Sequence, residues 1–160
     1  MLSTFLLDDA SQILATSFPN INGLQFLQAY QTSSGFSSCD DQSRNVVQIH
    51  FNDALHFLVS FRPAGEQRIR IYDSLYNRLN RSMEKQLAQI YGKNQGSLTV
   101  DFYPVHRQSD GSSCGVFAIA NATALCHGLD PTTLVYDEPL IRNRLLACFA
   151  SGIFDPSDPS

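Results

Sequence analysis

The stretch "QSDGSSCGVFAIANATAL", residues Gln108–Leu125, places a cysteine between a polar loop and a long apolar segment. From Ser113 to His127 the pattern predicts a helix, which Gly128 ends. Cys114 then lies in the first turn, behind Ser112 or Ser113 as the N-cap residue. The positive end of the helix dipole and the N–H groups of the first turn both stabilise a thiolate. We therefore expect the pKa of Cys114 to lie below that of an ordinary thiol.

The positions of the other cysteines argue against a metal-binding or disulfide role for Cys114. The chain has four of them: Cys39, Cys114, Cys126 and Cys148. None belongs to a C-x-x-C pair, so the sequence predicts neither a structural zinc site nor a disulfide framework. Cys126 and Cys148 lie on apolar helix faces, where a thiol packs as a small hydrophobic group, and Cys39 lies in a polar turn. On these grounds alone Cys114 is either a buried structural residue or a nucleophile.

Composition predicts one globular domain over residues 1–155 with a tail at 156–160. The chain has 160 residues, 43% of them hydrophobic and 16% charged. A chain of this length and composition can bury a hydrophobic core without disulfides or structural metal ions. The net charge of −4 and the pI of about 5.4 disfavour direct binding to nucleic acid. The opening "MLSTFLLDDA" lacks the features of a signal peptide, and no apolar run reaches the length of a membrane span. We expect an intracellular protein of the nucleus or cytoplasm that does not bind membranes.

Periodicity predicts an α+β fold. A helix over the first 17 residues precedes a loop at "NINGLQ", and further helices follow from Met83 to Gly92, from Ser113 to His127 and from Asp137. Between them lie the predicted strands "NVVQIHF", "LHFLVSF", "RIRIYDSL" and "SLTVDFYPV". A helix, then strands, then helices indicate a mostly antiparallel central sheet flanked by helices.

A histidine and a carboxylate are expected to meet across the hairpin formed by "LHFLVSF" and "RIRIYDSL". If the turn is Pro63–Glu66, His56 falls directly opposite Asp73, with both side chains on one face. A carboxylate in that position holds an imidazole in one tautomer and stabilises its charged form. The alternative is a surface ion pair without a catalytic role. Among the other histidines, His106 lies in a connecting loop, His127 at the far end of the helix, and His50 in a strand without an opposed carboxylate.

The order His56, Asp73, Gln108, Cys114 resembles that of the SUMO/sentrin-specific cysteine proteases, and more distantly that of the adenovirus maturation protease. "QSDGSSCGVF" is similar to the Gln-x-Asp/Asn-x-x-x-Cys-Gly-Val-Phe signature of that family, "IYDSL" to its Tyr-Asp-Ser-Leu strand and "LHFLVSF" to its His-Trp strand. "LLDD", "GLDP" and "IRNRLLACF" also fit, so the resemblance spans nearly the whole chain. It implies a papain-like or adenain-like cysteine protease fold.

The resemblance also implies a role for each matching residue. Cys114 would be the nucleophile, His56 the general base and then acid, and Asp73 the residue that orients His56. Gln108 would donate its side-chain amide to the oxyanion beside the backbone N–H of Cys114. Phe57, where the family has tryptophan, would contact the substrate.

The implied substrate is SUMO or another ubiquitin-like protein, cleaved after its C-terminal Gly-Gly by a monomeric enzyme that uses no metal or cofactor. Three other readings stay open: an acyltransferase of the same fold, an inactive module that binds ubiquitin-like proteins, and a viral-type protease acting on polyprotein sites.

Overall fold

The computed structural model describes residues 3–31, 35–92, 96–108 and 113–151, and the predicted tail at 156–160 lies outside them. The helices are α1 (Thr4–Ser17), α2 (Leu27–Gln31), α3 (Arg81–Tyr91), α4 (Cys114–Cys126) and α5 (Glu138–Ser151), with a 3-10 turn at Pro131–Thr133. The strands are β1 (Asn22–Gly23), β2 (Val46–Phe51), β3 (Phe57–Arg62), β4 (Ile69–Tyr72) and β5 (Val100–Tyr103). No helix within the described ranges is long and apolar enough to cross a membrane.

The strands form one mixed sheet in the order β1-β2-β3-β4-β5. The two central pairings, β2 with β3 and β3 with β4, are antiparallel as expected. The outer pairings are parallel: β1 pairs with β2, and β4 pairs with β5. The predicted loop "NINGLQ" therefore contributes an edge strand. Gly23 in this strand has a φ of +86°, and an added Cβ would meet the Val47 carbonyl oxygen, so both the backbone conformation and the space require glycine. The α+β class is confirmed.

Helix α4 is the centre of the core. All but one of its 13 residues are buried, and it packs against β3 and β2 on one side and against α1 and α5 on others. A helix that is apolar on every side fits only such a surrounded position. This packing fixes the N-terminus of α4, and with it Cys114, against the segment that leads into β3.

A buried polar cluster joins α3 to the sheet. The His50 ring shares hydrogen bonds with Gln86 of α3 at 2.9 Å and with the Ser60 hydroxyl at 2.7 Å, and Ser60 also shares one with Tyr91 at 2.8 Å. Burial lowers the pKa of His50 to about 4, against the opposing effect of Gln86, so this ring is neutral at physiological pH. His50 is therefore a structural residue, because its described hydrogen-bond partners are the neutral side chains of Gln86 and Ser60 rather than a carboxylate.

Candidate active site

Cys114 is the first residue of α4, with Ser113 at the N-cap position, and only 1% of it is exposed. Burial on its own would raise the pKa of the thiol. The hydrogen bond to His56, the backbone N–H of Phe57, the charge on His56 and the backbone N–H of Gly115 together outweigh burial and lower it. The predicted direction of the pKa shift agrees, although the imidazole contributes more to it than the helix terminus.

His56 connects the thiol to a carboxylate. Its Nε2 donates to Asp73 Oδ1 at 2.6 Å, and the two side chains are 3% and 2% exposed. Because Nε2 is occupied, Nδ1 is the ring nitrogen that serves Cys114. Burial disfavours the imidazolium, but the hydrogen bonds with Asp73 and Cys114 and the charges of these two groups prevail and raise the pKa of His56 to about 9. A raised imidazole pKa beside a lowered thiol pKa favours the thiolate–imidazolium form of the pair.

The contact between His56 and Asp73 agrees with the prediction, but the predicted strand register is wrong. In the sheet Ser60 lies opposite Ile71 and Phe61 opposite Arg70, so the connection between β3 and β4 is longer than the predicted turn and shifts the register by two residues. Direct opposition of His56 and Asp73 is therefore wrong. A shift of two preserves the alternation of faces, so both side chains still point to one side and meet diagonally just beyond the strand ends.

Asp73 is held by its own chain as well as by the imidazole. Its Oδ1 accepts the backbone N–H groups of Leu75 and Tyr76, each at 2.9 Å, in a turn that follows β4 directly. The Tyr76 ring packs edge-on to the His56 ring with centroids 5.0 Å apart. Tyr76 thus covers one side of the His56 imidazole, and the sequence did not predict this contact.

Gln108 lies beside Ser74, the residue that follows Asp73. Its backbone N–H donates to the Ser74 carbonyl oxygen at 3.0 Å, and its side-chain Oε1 accepts the Ser74 hydroxyl. Gln108 is 7% exposed, so its amide is sheltered from solvent. Asp110, Gly111 and Ser112, in the polar loop before Cys114, lie outside the described residues.

Phe57 does not present its ring as expected of a substrate contact. The side chain is 2% exposed and packs on Phe51 with ring centroids 5.0 Å apart, while the backbone N–H faces the Cys114 sulfur. A substrate-binding role for the Phe57 ring stays a prediction, and its burial argues against it.

The segment before His56 is exposed, in contrast to the buried Phe57 that follows it. Asp53 and Leu55 adopt φ values of +61° and +62°, which side-chain-bearing residues rarely do. The Asn52 side chain fixes this bend by accepting the backbone N–H groups of Ala54 and His56 at 2.8 and 3.2 Å. The Leu55 carbonyl oxygen lies 3.8 Å from Cys114 Sγ, and its side chain is 69% exposed. The unusual backbone at this point brings the Leu55 carbonyl oxygen close to the thiol and leaves Leu55 exposed.

The remaining histidines and thiols lie elsewhere. His106 Nδ1 accepts the backbone N–H of Tyr136 at 2.7 Å, and His127 caps α4 against Phe18. Burial raises the pKa of Cys126 to about 12, so it stays a thiol. Within the described ranges, no cluster of three or more histidine, cysteine, aspartate or glutamate side chains is arranged to hold a metal ion.

No protein-family model matches the chain, and no curated protein matches it in sequence. Solved structures do match it in three dimensions. The yeast Ulp1 protease domain in complex with Smt3, the yeast ortholog of SUMO, superposes with a TM-score of 0.68 at 15% identity, over 94% of this chain and 77% of that one. The Chaetomium thermophilum Ulp1-like SUMO protease domain gives 0.66 at 18% identity, over 94% and 70%.

A bacterial protein shares the architecture over most of its own length. The Xanthomonas campestris effector XopD, solved bound to ubiquitin, matches with a TM-score of 0.57 at 17% identity, over 91% of this chain and 90% of that one. At these identities the comparisons establish the fold, which is that of the Ulp1-type cysteine proteases and agrees with the resemblance found in the sequence.

Proposed function

We propose that this protein is a cysteine peptidase that cleaves the peptide or isopeptide bond after the C-terminal Gly-Gly of SUMO or another ubiquitin-like protein. One observation carries the proposal: a single buried imidazole contacts both the thiol of Cys114 and the carboxylate of Asp73. The fold supports it, since structural neighbours were solved in complex with SUMO or ubiquitin. The protein would act as a monomer in the nucleus or cytoplasm.

The chemistry would proceed through a thioester and needs no metal or cofactor. The Cys114 thiolate attacks the carbonyl carbon, and the backbone N–H of Cys114 and the Gln108 amide stabilise the oxyanion. The carbon–nitrogen bond breaks as His56 donates its proton to the leaving amine. Water then attacks the thioester while His56 accepts a proton, and the carbon–sulfur bond breaks to release the carboxylic acid and regenerate the thiolate.

The Asp73 carboxylate and the burial of the His56–Asp73 pair support this sequence of proton transfers. Asp73 keeps the proton on Nε2, so that Nδ1 exchanges protons with the thiol, the amine and water. Because the pair is nearly inaccessible to solvent, the interaction between its charges is weakly screened. Leu55 is exposed and its carbonyl oxygen lies 3.8 Å from Cys114 Sγ, so this residue would border the path of the substrate tail.

The test is hydrolysis of a panel of fluorogenic C-terminal amides of SUMO, ubiquitin, a NEDD8-like protein and a bare Gly-Gly peptide. We expect turnover of at least one modifier substrate without acyl-CoA, loss of turnover in Cys114→Ala, and retention in the matched control Cys126→Ala. Tight modifier binding without turnover would establish an inactive binding module instead. Acetyl transfer from acetyl-CoA would establish an acyltransferase, and preference for the bare peptide would indicate a protease of simple peptide sites.

A further inference from the structure

Two adjacent residues at the end of β4 reach two different parts of the site. Asp73 contacts His56, and Ser74 contacts Gln108. Ser74 is 2% exposed and engages Gln108 twice: its carbonyl oxygen accepts the Gln108 backbone N–H at 3.0 Å, and its hydroxyl donates to Gln108 Oε1. This two-point contact, between residues 34 positions apart in the chain, fixes both the backbone and the side chain of Gln108.

The direction of the hydroxyl bond matters because a carboxamide has two ends of similar shape and opposite hydrogen-bonding character. Only the NH₂ end can stabilise a developing oxyanion, and the oxygen end would repel it. A donor on Oε1 selects the orientation in which the NH₂ end lies on the side away from Ser74. A sheltered hydroxyl gains most from donating to a strong acceptor within reach, since leaving it without one is costly.

We infer that Ser74 is a positioning residue that sets the orientation of the Gln108 carboxamide for oxyanion stabilisation. The inference rests on the proposed function, because it gives Ser74 a role only if Gln108 serves an oxyanion. The two residues that follow β4 would then have separate positioning roles. Asp73 orients the general base His56, and Ser74 orients Gln108, the hydrogen-bond donor to the oxyanion.

The Asp73 side of the site does not depend on the Ser74 hydroxyl. Asp73 Oδ1 holds the backbone N–H groups of Leu75 and Tyr76, so the turn after β4 is fixed by Asp73 itself. Removing Oγ of Ser74 therefore takes away the donor to Gln108 Oε1 and leaves the His56–Asp73 contact in place. Loss of the thiolate and loss of amide orientation can be separated by experiment.

The experiment is a double-mutant cycle of Ser74→Ala and Gln108→Ala, read with the fluorogenic modifier amide that the wild-type protein hydrolyses. Losing an oxyanion donor costs about 10²–10³ in kcat, so we expect Ser74→Ala to lower kcat by roughly 10-fold to 100-fold with little change in KM. In the Gln108→Ala background the same substitution should have no further effect. Ser74→Thr, which keeps the hydroxyl, should restore most of the rate.

A second readout isolates the amide from the thiol. Alkylation of Cys114 by iodoacetamide forms no oxyanion, so its rate should be unchanged in Ser74→Ala. Ser60→Ala is the matched control, because Ser60 is equally buried but contacts His50 and Tyr91, and it should leave kcat unchanged. Ser74→Gly repeats the test if the alanine variant does not fold.

Three results would overturn the inference: wild-type kcat in Ser74→Ala, an undiminished loss in the Gln108→Ala background, or alkylation slowed as much as turnover. Wild-type kcat in Gln108→Ala would overturn the oxyanion assignment together with the inference. Turnover by Cys114→Ala would refute the proposed function itself, which distinguishes that failure from a failure at Ser74.

Discussion

Replacing Asp73 by asparagine should narrow the pH range in which the protein is active. Asparagine keeps an oxygen that can accept the N–H groups of Leu75 and Tyr76, so the turn persists, but the negative charge is lost. That charge lies 2.6 Å from His56 Nε2 between side chains that are 3% and 2% exposed. Solvent therefore cannot replace it.

The pKa of His56 sets the size of the effect. It stands at about 9, because the contacts with Asp73 and Cys114 overcome burial, which is the largest single effect and acts in the opposite direction. An opposite charge at such a distance shifts a pKa by about 1–3 units. Without it the pKa of His56 should fall to between about 6 and 8, and the imidazolium that protonates the leaving amine should be lost at correspondingly lower pH. Loss of the tautomer should also lower the maximal kcat by roughly 10²- to 10⁴-fold, as in a serine protease triad.

The assay is the pH profile of kcat/KM, whose falling alkaline limb reports the free enzyme's imidazolium. Asp101→Asn is the matched control, because it removes an equally short ion pair with Arg68, at 2.7 Å, on the outer strand β5. The control should keep the wild-type alkaline limb, and Asp73→Asn should move it down. An alkaline limb at the same pH in Asp73→Asn and wild type would refute the assignment of His56 and Asp73 as a coupled pair.

Three further expectations follow from the fold. The pKa of His50 is about 4 when folded and about 6.5 when unfolded, so the free energy of unfolding should fall by up to about 3 kcal/mol as pH drops through that range, and urea titrations of His50→Gln should lack this component. Gly23→Ala should destabilise by about 2 kcal/mol or more in thermal melts, and Gly65→Ala, with similar φ but open space, by less; equal losses would exclude the clash with β2. Phe57→Trp should cost about 1–3 kcal/mol by overpacking, and full tolerance would show that the ring can reach the surface.

The long apolar segment with clear signals at both ends was predictable as a helix. Helix α4 is long and apolar, and its terminal cysteine follows from the pattern alone. The predicted contact between His56 and Asp73 is correct although the predicted register is wrong by two residues, because side chains alternate with a period of two along a strand. An error of one residue would have placed the two side chains on opposite faces.

What the sequence did not predict depends on contacts between distant segments. Strand β1 has two residues, too few for any periodicity, and its parallel partner lies 24 positions away, as in the pairing of Asn22 with Val46. The bend at Leu55 has no glycine to signal its positive φ, and it forms because the Asn52 side chain holds it. The contact between Ser74 and Gln108 joins two segments whose approach is set by the parallel pairing of β4 with β5.

The central claim is that His56 activates Cys114, and the alkylation rate of Cys114 in wild type and His56→Ala tests it most directly. Peptide mapping after iodoacetamide treatment would follow Cys114 beside Cys126, whose buried thiol serves as the internal unreactive reference. Without the imidazole, burial should raise the pKa of Cys114, so that alkylation at neutral pH slows roughly tenfold for each unit of the rise, while the fold persists in thermal melts. Equal alkylation rates in the two proteins at neutral pH would show that the helix terminus alone sets the thiol's reactivity, and would contradict the account.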